Sequence, residues 1–353
     1  MRIAVDAYFN NNLGDDLFLK ILVERYPNAH FDFLLCDEMA CEAFKKHPRV
    51  RYVSRKKVFK NILNYQAYIL IGGSMFQEPN EWKTEWRKLN LTVNWFKFFR
   101  KSTFVLGCNY GPVSSDLYDK AYCKVFNKLT HMTVRDEHSY GALVGKKINL
   151  SVYPDIVLGM EFNKKIQPDD KLVGISVIDW HKNENVESYI NFNVNIIKSL
   201  LLDGKKIRLF AFQNADKISD LEICNKILRK LNLQESNQES NIEIISYKGD
   251  VDVFLEKYIE CKYAITSRFH SLIISLLSNQ IICPVIYSNK TLNTIKYLGI
   301  GLKSITLDNI ENYNIDKVKE LFEINKSMDR NLINTLSQES KQHFKILDQK
   351  LRK

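Results

Sequence analysis

From its first residue the chain alternates short runs of β-branched and aromatic residues with longer stretches whose apolar positions recur every three to four residues. Such alternation predicts βα units around a mainly parallel sheet. The short runs place strands at residues 3–7, 30–35, 50–53, 68–72, 103–107, 131–135 and 150–153. Residues 161–171, EFNKKIQPDDK, are polar, contain Pro168 and predict a linker. The alternation then restarts, with strands at 172–177, 207–212, 242–246, 263–266 and 281–286. The expected architecture is α/β: two Rossmann-like, doubly wound domains in tandem, 1–162 and 171–326, with a cleft between the C-terminal ends of their strands. From Lys317 onward the pattern is helical, and Leu332, Leu336, Leu347 and Leu351 recur at helical spacings. Residues 327–353 are read as a C-terminal amphipathic helix, which either closes one domain or lies on a membrane surface.

The length agrees with this division, since 353 residues make about two domains. Hydrophobic residues at 45% and charged residues at 26% describe a chain that folds. Fifty-one Lys and Arg against 41 Asp and Glu leave a formal charge of +10, which suits an anionic ligand, an anionic membrane surface or nucleic acid. No aromatic-studded basic groove or known module supports nucleic acid, which is not expected as a partner. The opening MRIAVDAYF enters a strand-like run directly, so no secretion signal is expected. The longest apolar stretch, 272–287, is broken by Ser275, Ser278, Asn279, Gln280 and Pro284 and falls short of the ~20 residues a membrane span needs. Seven cysteines stand singly and are expected as reduced thiols in the cytoplasm. Neither they nor the seven histidines fall at metal-ligand spacings, so no metal site is expected.

Chemistry gathers where strands end. The first strand runs into Asn10-Asn11-Asn12-Leu13-Gly14-Asp15-Asp16 and then an apolar helix. A carboxylate there caps the helix dipole, or it grips sugar hydroxyls and takes a hydroxyl proton. Two adjacent acids would repel a phosphate, which makes this an acceptor side. Gly72-Gly73-Ser74 and Gly107 to Pro112 follow further strands, where glycines let backbone approach a ligand or simply make turns. No G-x-G-x-x-G and no P-loop motif occurs, so dinucleotide and P-loop readings lose their main support. The sharpest segment is Thr266-Ser267-Arg268-Phe269-His270-Ser271, between a buried strand and an apolar helix, with a hydroxyl residue expected at the N-cap. Backbone N–H groups, a bidentate guanidinium and an imidazole would converge there on an anion, unless Arg268 pairs with a carboxylate inside the protein. Arg135-Asp136 and Pro154-Asp155 also fall at strand ends, as ligand groups or as internal ion pairs. The run 45–60, KKHPRVRYVSRKKVFK, holds eight Lys or Arg and no acid: a solvated face or an attraction to anionic headgroups.

In order along the chain, Asn12, Gly14, Asp15 and Asp16, then Gly72 and Gly73, Gly111 and Pro112, Val134, Arg135, Asp136 and Ser139, Pro154 and Asp155, Ser267, Arg268 and His270, and finally Pro284, Tyr287 and Lys290 make a set that resembles the polysaccharide pyruvyl transferase family. The resemblance implies the glycosyltransferase-B type of fold. It also implies transfer of the pyruvyl unit of phosphoenolpyruvate to two hydroxyls of one sugar, giving a pyruvate ketal and phosphate. By this resemblance His270, Asp15 and Asp16 would be catalytic. Arg268, Ser267, Lys290, Gly72, Gly73 and Arg135 would bind the donor on the second domain's side, and Asn12 and Asn109 the acceptor on the first domain's side. No cofactor is implied beyond phosphoenolpyruvate as donor substrate. The implied setting is capsule or exopolysaccharide assembly on a sugar or lipid-linked oligosaccharide, at the inner face of the cytoplasmic membrane. A nucleotide-sugar glycosyltransferase would share the architecture and is the alternative.

Overall fold

The computed structural model describes residues 1–35, 41–162, 166–179, 186–215, 218–232, 241–287, 289–326 and 328–351, with 289 and 290 in backbone only. They form two compact units, Met1–Phe9 with Asp15–Met160 and Thr335–Lys353, and Asn10–Gly14 with Glu161–Asn334.

The first unit carries β1 (Arg2–Asp6), α1 (Leu13–Arg25, whose first two residues belong to the second unit), β2 (His30–Phe33), β3 (Val50–Tyr52), α2 (Arg55–Lys60), β4 (Ala67–Ile71), α3 (Trp82–Phe98), β5 (Ser102–Cys108), α4 (Asp116–Phe126), β6 (His131–Val134), α5 (Glu137–Leu143) and β7 (Leu150–Val152). Its strands pair in parallel in the order β3-β2-β1-β4-β5-β6-β7. In the second unit β8 (Asp169–Ser176), α6 (Val186–Leu202), β9 (Lys206–Ala211), a short antiparallel hairpin of β10 (Asn214–Ala215) and β11 (Ile218–Ser219), α7 (Asp220–Leu231), β12 (Ile242–Ser246), α8 (Val251–Ile259), β13 (Cys261–Thr266), α9 (Phe269–Leu277), β14 (Ile281–Ile286), α10 (Asn289–Leu298), β15 (Ile305–Thr306) and α11 (Ile315–Asn325) follow. The main sheet runs β12-β9-β8-β13-β14-β15, again parallel.

Every residue of β4 and of β14 is buried, the composition of central parallel strands covered on both faces by helices. In each sheet the strand order reverses beside the first strand, between β1 and β4 and between β8 and β13. Such switch points are where open α/β sheets hold ligands, outside the carboxyl ends of the strands. The strands expected from the sequence are all present, the largest change being 172–177, which begins at Asp169. The sequence reading missed β15 and the β10–β11 hairpin, because two-residue strands carry no periodicity.

The tail expected as one helix over 327–353 is α12 (Arg330–Ser340), a tight turn and α13 (Lys345–Leu351). From Thr335 onward it closes the first unit. Arg25 donates to Asp348 from Nε at 3.1 Å and Nη2 at 2.6 Å, and its guanidinium lies 5.0 Å over the Phe344 ring. Of the two roles open to this segment, the structure shows packing. His343 is buried, with Nε2 2.8 Å from the Pro154 carbonyl and Nδ1 2.7 Å from Thr133 Oγ1. A carbonyl only accepts, so Nε2 carries a hydrogen.

Burial lowers the His343 pKa from 6.5 to about 4, with the neighbouring Arg135 charge adding to the effect and the Asp155 charge opposing it. Between those values the unfolded chain takes up a proton that the folded one does not. Stability therefore falls as pH drops from 6.5 to 4, by about 3 kcal/mol from this residue, and no further below. Urea titrations across that window should show a shallower acid loss in His343→Gln. Equal slopes in both proteins would remove His343 as the cause.

Candidate active site

At the switch point of the second unit β8 and β13 end side by side, at Ser176 and Thr266. Ser176 Oγ accepts the amides of Ser267 at 3.0 Å and Arg268 at 3.3 Å, and this turns the chain into α9. The N-cap residue is Arg268, not the hydroxyl residue expected from the sequence, and its side chain makes no cap. Instead Ser271 Oγ donates back to the Arg268 carbonyl at 2.5 Å. Ser267 is buried and its Oγ accepts from Tyr189 at 2.9 Å.

Of the two readings of Arg268, the structure shows its guanidinium engaged with a carboxylate inside the protein. Nε donates to Asp220 Oδ2 at 3.0 Å, Nη2 donates to Asp220 Oδ1, and Nη1 donates to Gln213 Oε1 at 3.3 Å. Burial works against the charge, but the Asp220 carboxylate more than offsets it and raises the Arg268 pKa. Asp220 is the residue that sequence reasoning missed. It is 0% exposed, opens α7, and accepts the amides of Asp179 at 2.8 Å, Gln213 at 3.0 Å and Phe212 at 3.2 Å besides the guanidinium. Its signal in the sequence was an acid at a strand-to-helix junction, the same signal that singled out Asp15 and Asp16.

The segment Asn10–Gly14 folds with this unit. Leu13 N donates to the Phe212 carbonyl at 3.0 Å, and Asn12 bridges to Gln213. Asn12, expected at the acceptor, accepts the Gly14 amide on Oδ1 at 3.0 Å, so its carbonyl oxygen caps α1 locally. Gly14 lies against His270: a Cβ at position 14 would stand 2.0 Å from Nδ1 of that ring. Two motifs 256 positions apart, Asn12 to Gly14 and Ser267 to His270, thus meet at the amino end of α9. There the first-turn amides form the positive end of the helix dipole. Lys290 lies in the first turn of α10, and its side chain is outside the described residues.

The first unit takes several expected ligand groups into its interior. Arg135 is 1% exposed; Nη1 donates to Asp155 Oδ2 at 2.5 Å and Nε to Asn109 Oδ1 at 2.6 Å. Asn109 Nδ2 donates to Asp136, and Asp136 caps α5 by accepting the Ser139 amide at 2.7 Å. Arg135 and Asn109, expected as donor and acceptor ligands, are members of a buried network in this structure. Gly73 belongs to the same network, because a Cβ there would sit 2.8 Å from Arg135 Nη1. Gly72, expected with it at the donor, is buried at φ +155° and passes the chain into that turn. Of the two acids in α1, Asp16 is 1% exposed and accepts from the Cys41 thiol at 3.8 Å. Burial and that carboxylate push the Cys41 pKa up. Asp15, half-buried, is the carboxylate nearer to solvent. An open pocket of about 390 Å³ lies beyond the end of β5, lined by Pro112, Ser114, Asp116, Asp119, His138 and Lys146 among others. Among the described residues no group of three His, Cys, Asp or Glu could hold a metal ion.

The fold is found among solved structures. A UDP-GlcNAc 2-epimerase of Methanocaldococcus jannaschii superimposes with a TM-score of 0.60 at 10% identity, over 99% of this chain and 100% of its own. Anabaena Alr3699/HepE, solved with UDP and glucose, gives 0.60 at 10% identity over 100% and 99%. Escherichia coli ADP-heptose LPS heptosyltransferase II gives 0.51 at 14% identity over 92% and 98%. At these identities the likeness establishes the fold, which is of the glycosyltransferase-B type. No curated protein sequence matches the chain. A family model described as polysaccharide pyruvyl transferase matches residues 12–287, from the Asn12 loop to the end of β14 and Tyr287. With the family model matching from the Asn12 loop through to Tyr287, the chain belongs to the polysaccharide pyruvyl transferase family.

Proposed function

We propose that this protein transfers the pyruvyl unit of phosphoenolpyruvate to two hydroxyls of one sugar in a capsular or exopolysaccharide precursor. The observation that carries the reading is the seat of His270 on Gly14 at the amino end of α9, at the switch point of the second unit. A phosphate there would meet helix-terminal N–H groups and an imidazole. Arg268, bound to Asp220, would act as a fixed part of the wall with its charge balanced, and Lys290 would supply a further cation.

In this reading a proton delivered to the donor methylene, with His270 as its carrier, leaves a cationic carbon. One sugar hydroxyl attacks that carbon and loses its proton, with Asp15 as the base. Phosphate departs, and the second hydroxyl closes the ketal on the same carbon. The two hydroxyl protons balance the one gained by the new methyl group and the one carried off with phosphate. The acceptor would be a sugar or lipid-linked oligosaccharide, and in the first unit the pocket beyond β5 offers carboxylates and hydroxyls suited to sugar hydrogen bonds. The proposed setting is the cytoplasm, and no cofactor is invoked.

The test is phosphate release from phosphoenolpyruvate against a panel of galactosides, glucosides and mannosides, with and without chelator. Release that requires a glycoside and is undiminished in chelator is the expected result. Transfer from a nucleotide sugar without use of phosphoenolpyruvate would overturn the reading in favour of a glycosyltransferase.

A further inference from the structure

On the first unit, α3 has two apolar stripes. Leu89, Thr92, Val93 and Phe96 face the core. Leu91, Trp95 and Phe98, spaced four and three residues apart, form a second stripe that is 54%, 36% and 76% exposed. An amphipathic surface helix has no core-packing use for a second stripe. It is widened by neighbours: Trp95 lies 5.8 Å from Phe59 of α2 and 5.3 Å from Phe99, and Phe98 lies 5.1 Å from Phe99. Trp95 Nε1 donates to the Phe59 carbonyl at 3.2 Å, and Lys101 Nζ to the Leu63 carbonyl at 3.3 Å. These bonds bring Leu63, 73% exposed, to the same face.

Charge frames this patch. Residues 45–64 and 86–101 contain no Asp or Glu. Three arginines of the basic run have partners inside the protein: Arg49 donates to the carbonyls of Val23 and Tyr26, Arg51, itself exposed, pairs with buried Asp32, and Arg55 pairs with Asp6. Lys56, Lys57, Lys60, Lys97 and Arg100 stay exposed around the aromatic cluster. No helix among the described residues is long and apolar enough to cross a membrane. We infer that this face docks on an anionic lipid bilayer, with Leu63, Leu91, Trp95 and Phe98 entering the headgroup boundary and the cations meeting lipid phosphates.

Two other occupants fit less well. A second copy meeting this face through a two-fold axis would set lysines against lysines. Nucleic acid would use aromatic faces open to bases, whereas Trp95, Phe98 and Phe99 contact one another. The docking stands apart from the proposed reaction, since it uses none of its residues.

The experiment is co-flotation of the whole protein with vesicles of phosphatidylcholine alone or mixed with phosphatidylglycerol, at low and high salt. Each cation near an anionic surface should raise partitioning roughly fivefold. The expected result is binding to the mixed vesicles only, weakened by salt. It should weaken at least tenfold in Leu63→Ser/Phe98→Ser and disappear in Lys56→Glu/Lys60→Glu/Lys97→Glu. All of these positions are exposed, and an unchanged melting curve verifies folding. Quenching by lipids brominated on their acyl chains should fall in Trp95→Phe. Binding that persists in both multiple variants, equal binding to neutral vesicles, or no binding at all would overturn the inference. So would a dimer that dissociates in the Ser variant, or retention by single-stranded nucleic acid in place of vesicles.

Discussion

Alanine at position 14 should lower turnover by roughly a hundredfold or more, the scale of a lost acid–base catalyst, while leaving the unfolding midpoint close to that of the parent protein. Gly14 sits in the first turn of α1, where alanine is a better helix former and no left-handed backbone stands in the way. The obstacle is the imidazole: the added Cβ would lie 2.0 Å from His270 Nδ1 and 2.8 Å from Cγ and Cε1. A ring on two rotatable bonds gives way more readily than backbone, so His270 leaves its position and the fold survives. His270→Gln should cost a similar factor. Adding Gly14→Ala to His270→Gln should then change little, because the first substitution acts only through the second residue. The readouts are kcat and KM for phosphoenolpyruvate beside a melting curve. Full turnover in Gly14→Ala would show that His270 takes no part from the position it holds here.

Stability, rather than turnover, should suffer most from Asp155→Ala. Arg135 is 1% and Asp155 0% exposed, so losing the carboxylate strands a guanidinium in the interior. Removing one partner of a buried pair costs about 3 to 5 kcal/mol. Asp155 also accepts the Val157 amide at 2.9 Å, which adds an orphaned donor. Urea unfolding should show this loss in Asp155→Ala, and a smaller one when Arg135→Met accompanies Asp155→Leu. A loss under about 1 kcal/mol would mean that another group balances Arg135 in the native state.

What the sequence disclosed was local. Buried parallel strands announce themselves as apolar runs, and the strand-to-helix step around Thr266 to His270 was readable from a hydroxyl residue, two basic groups and an apolar stripe. What it hid was long-range pairing. Arg268 meets Asp220, 48 positions away, and Arg135 meets Asp155 while its chain neighbour Asp136 caps a helix. No periodicity records which of two nearby carboxylates faces a guanidinium, since that depends on how far each strand runs before it turns. The placement of Asn109 was hidden for the same reason: one residue beyond Cys108, the end of β5, it bonds within the Arg135 network. The second apolar stripe of α3 was invisible because exposed and buried leucines read alike in a sequence.

The allotment of Thr335–Lys353 to the first unit bears on how the molecule is made. A ribosome delivers the chain from its amino end, so the first sheet emerges early, while the helices that cover Arg25, Tyr26 and Thr133 come last. Until then His343 is absent from its place beside Thr133 and Pro154, and Arg25 lacks its carboxylate. The first unit must wait, partly uncovered, through the synthesis of the whole second unit. Until α12 and α13 emerge, Arg25, Tyr26 and Thr133 therefore lack the partners that cover them in the folded unit.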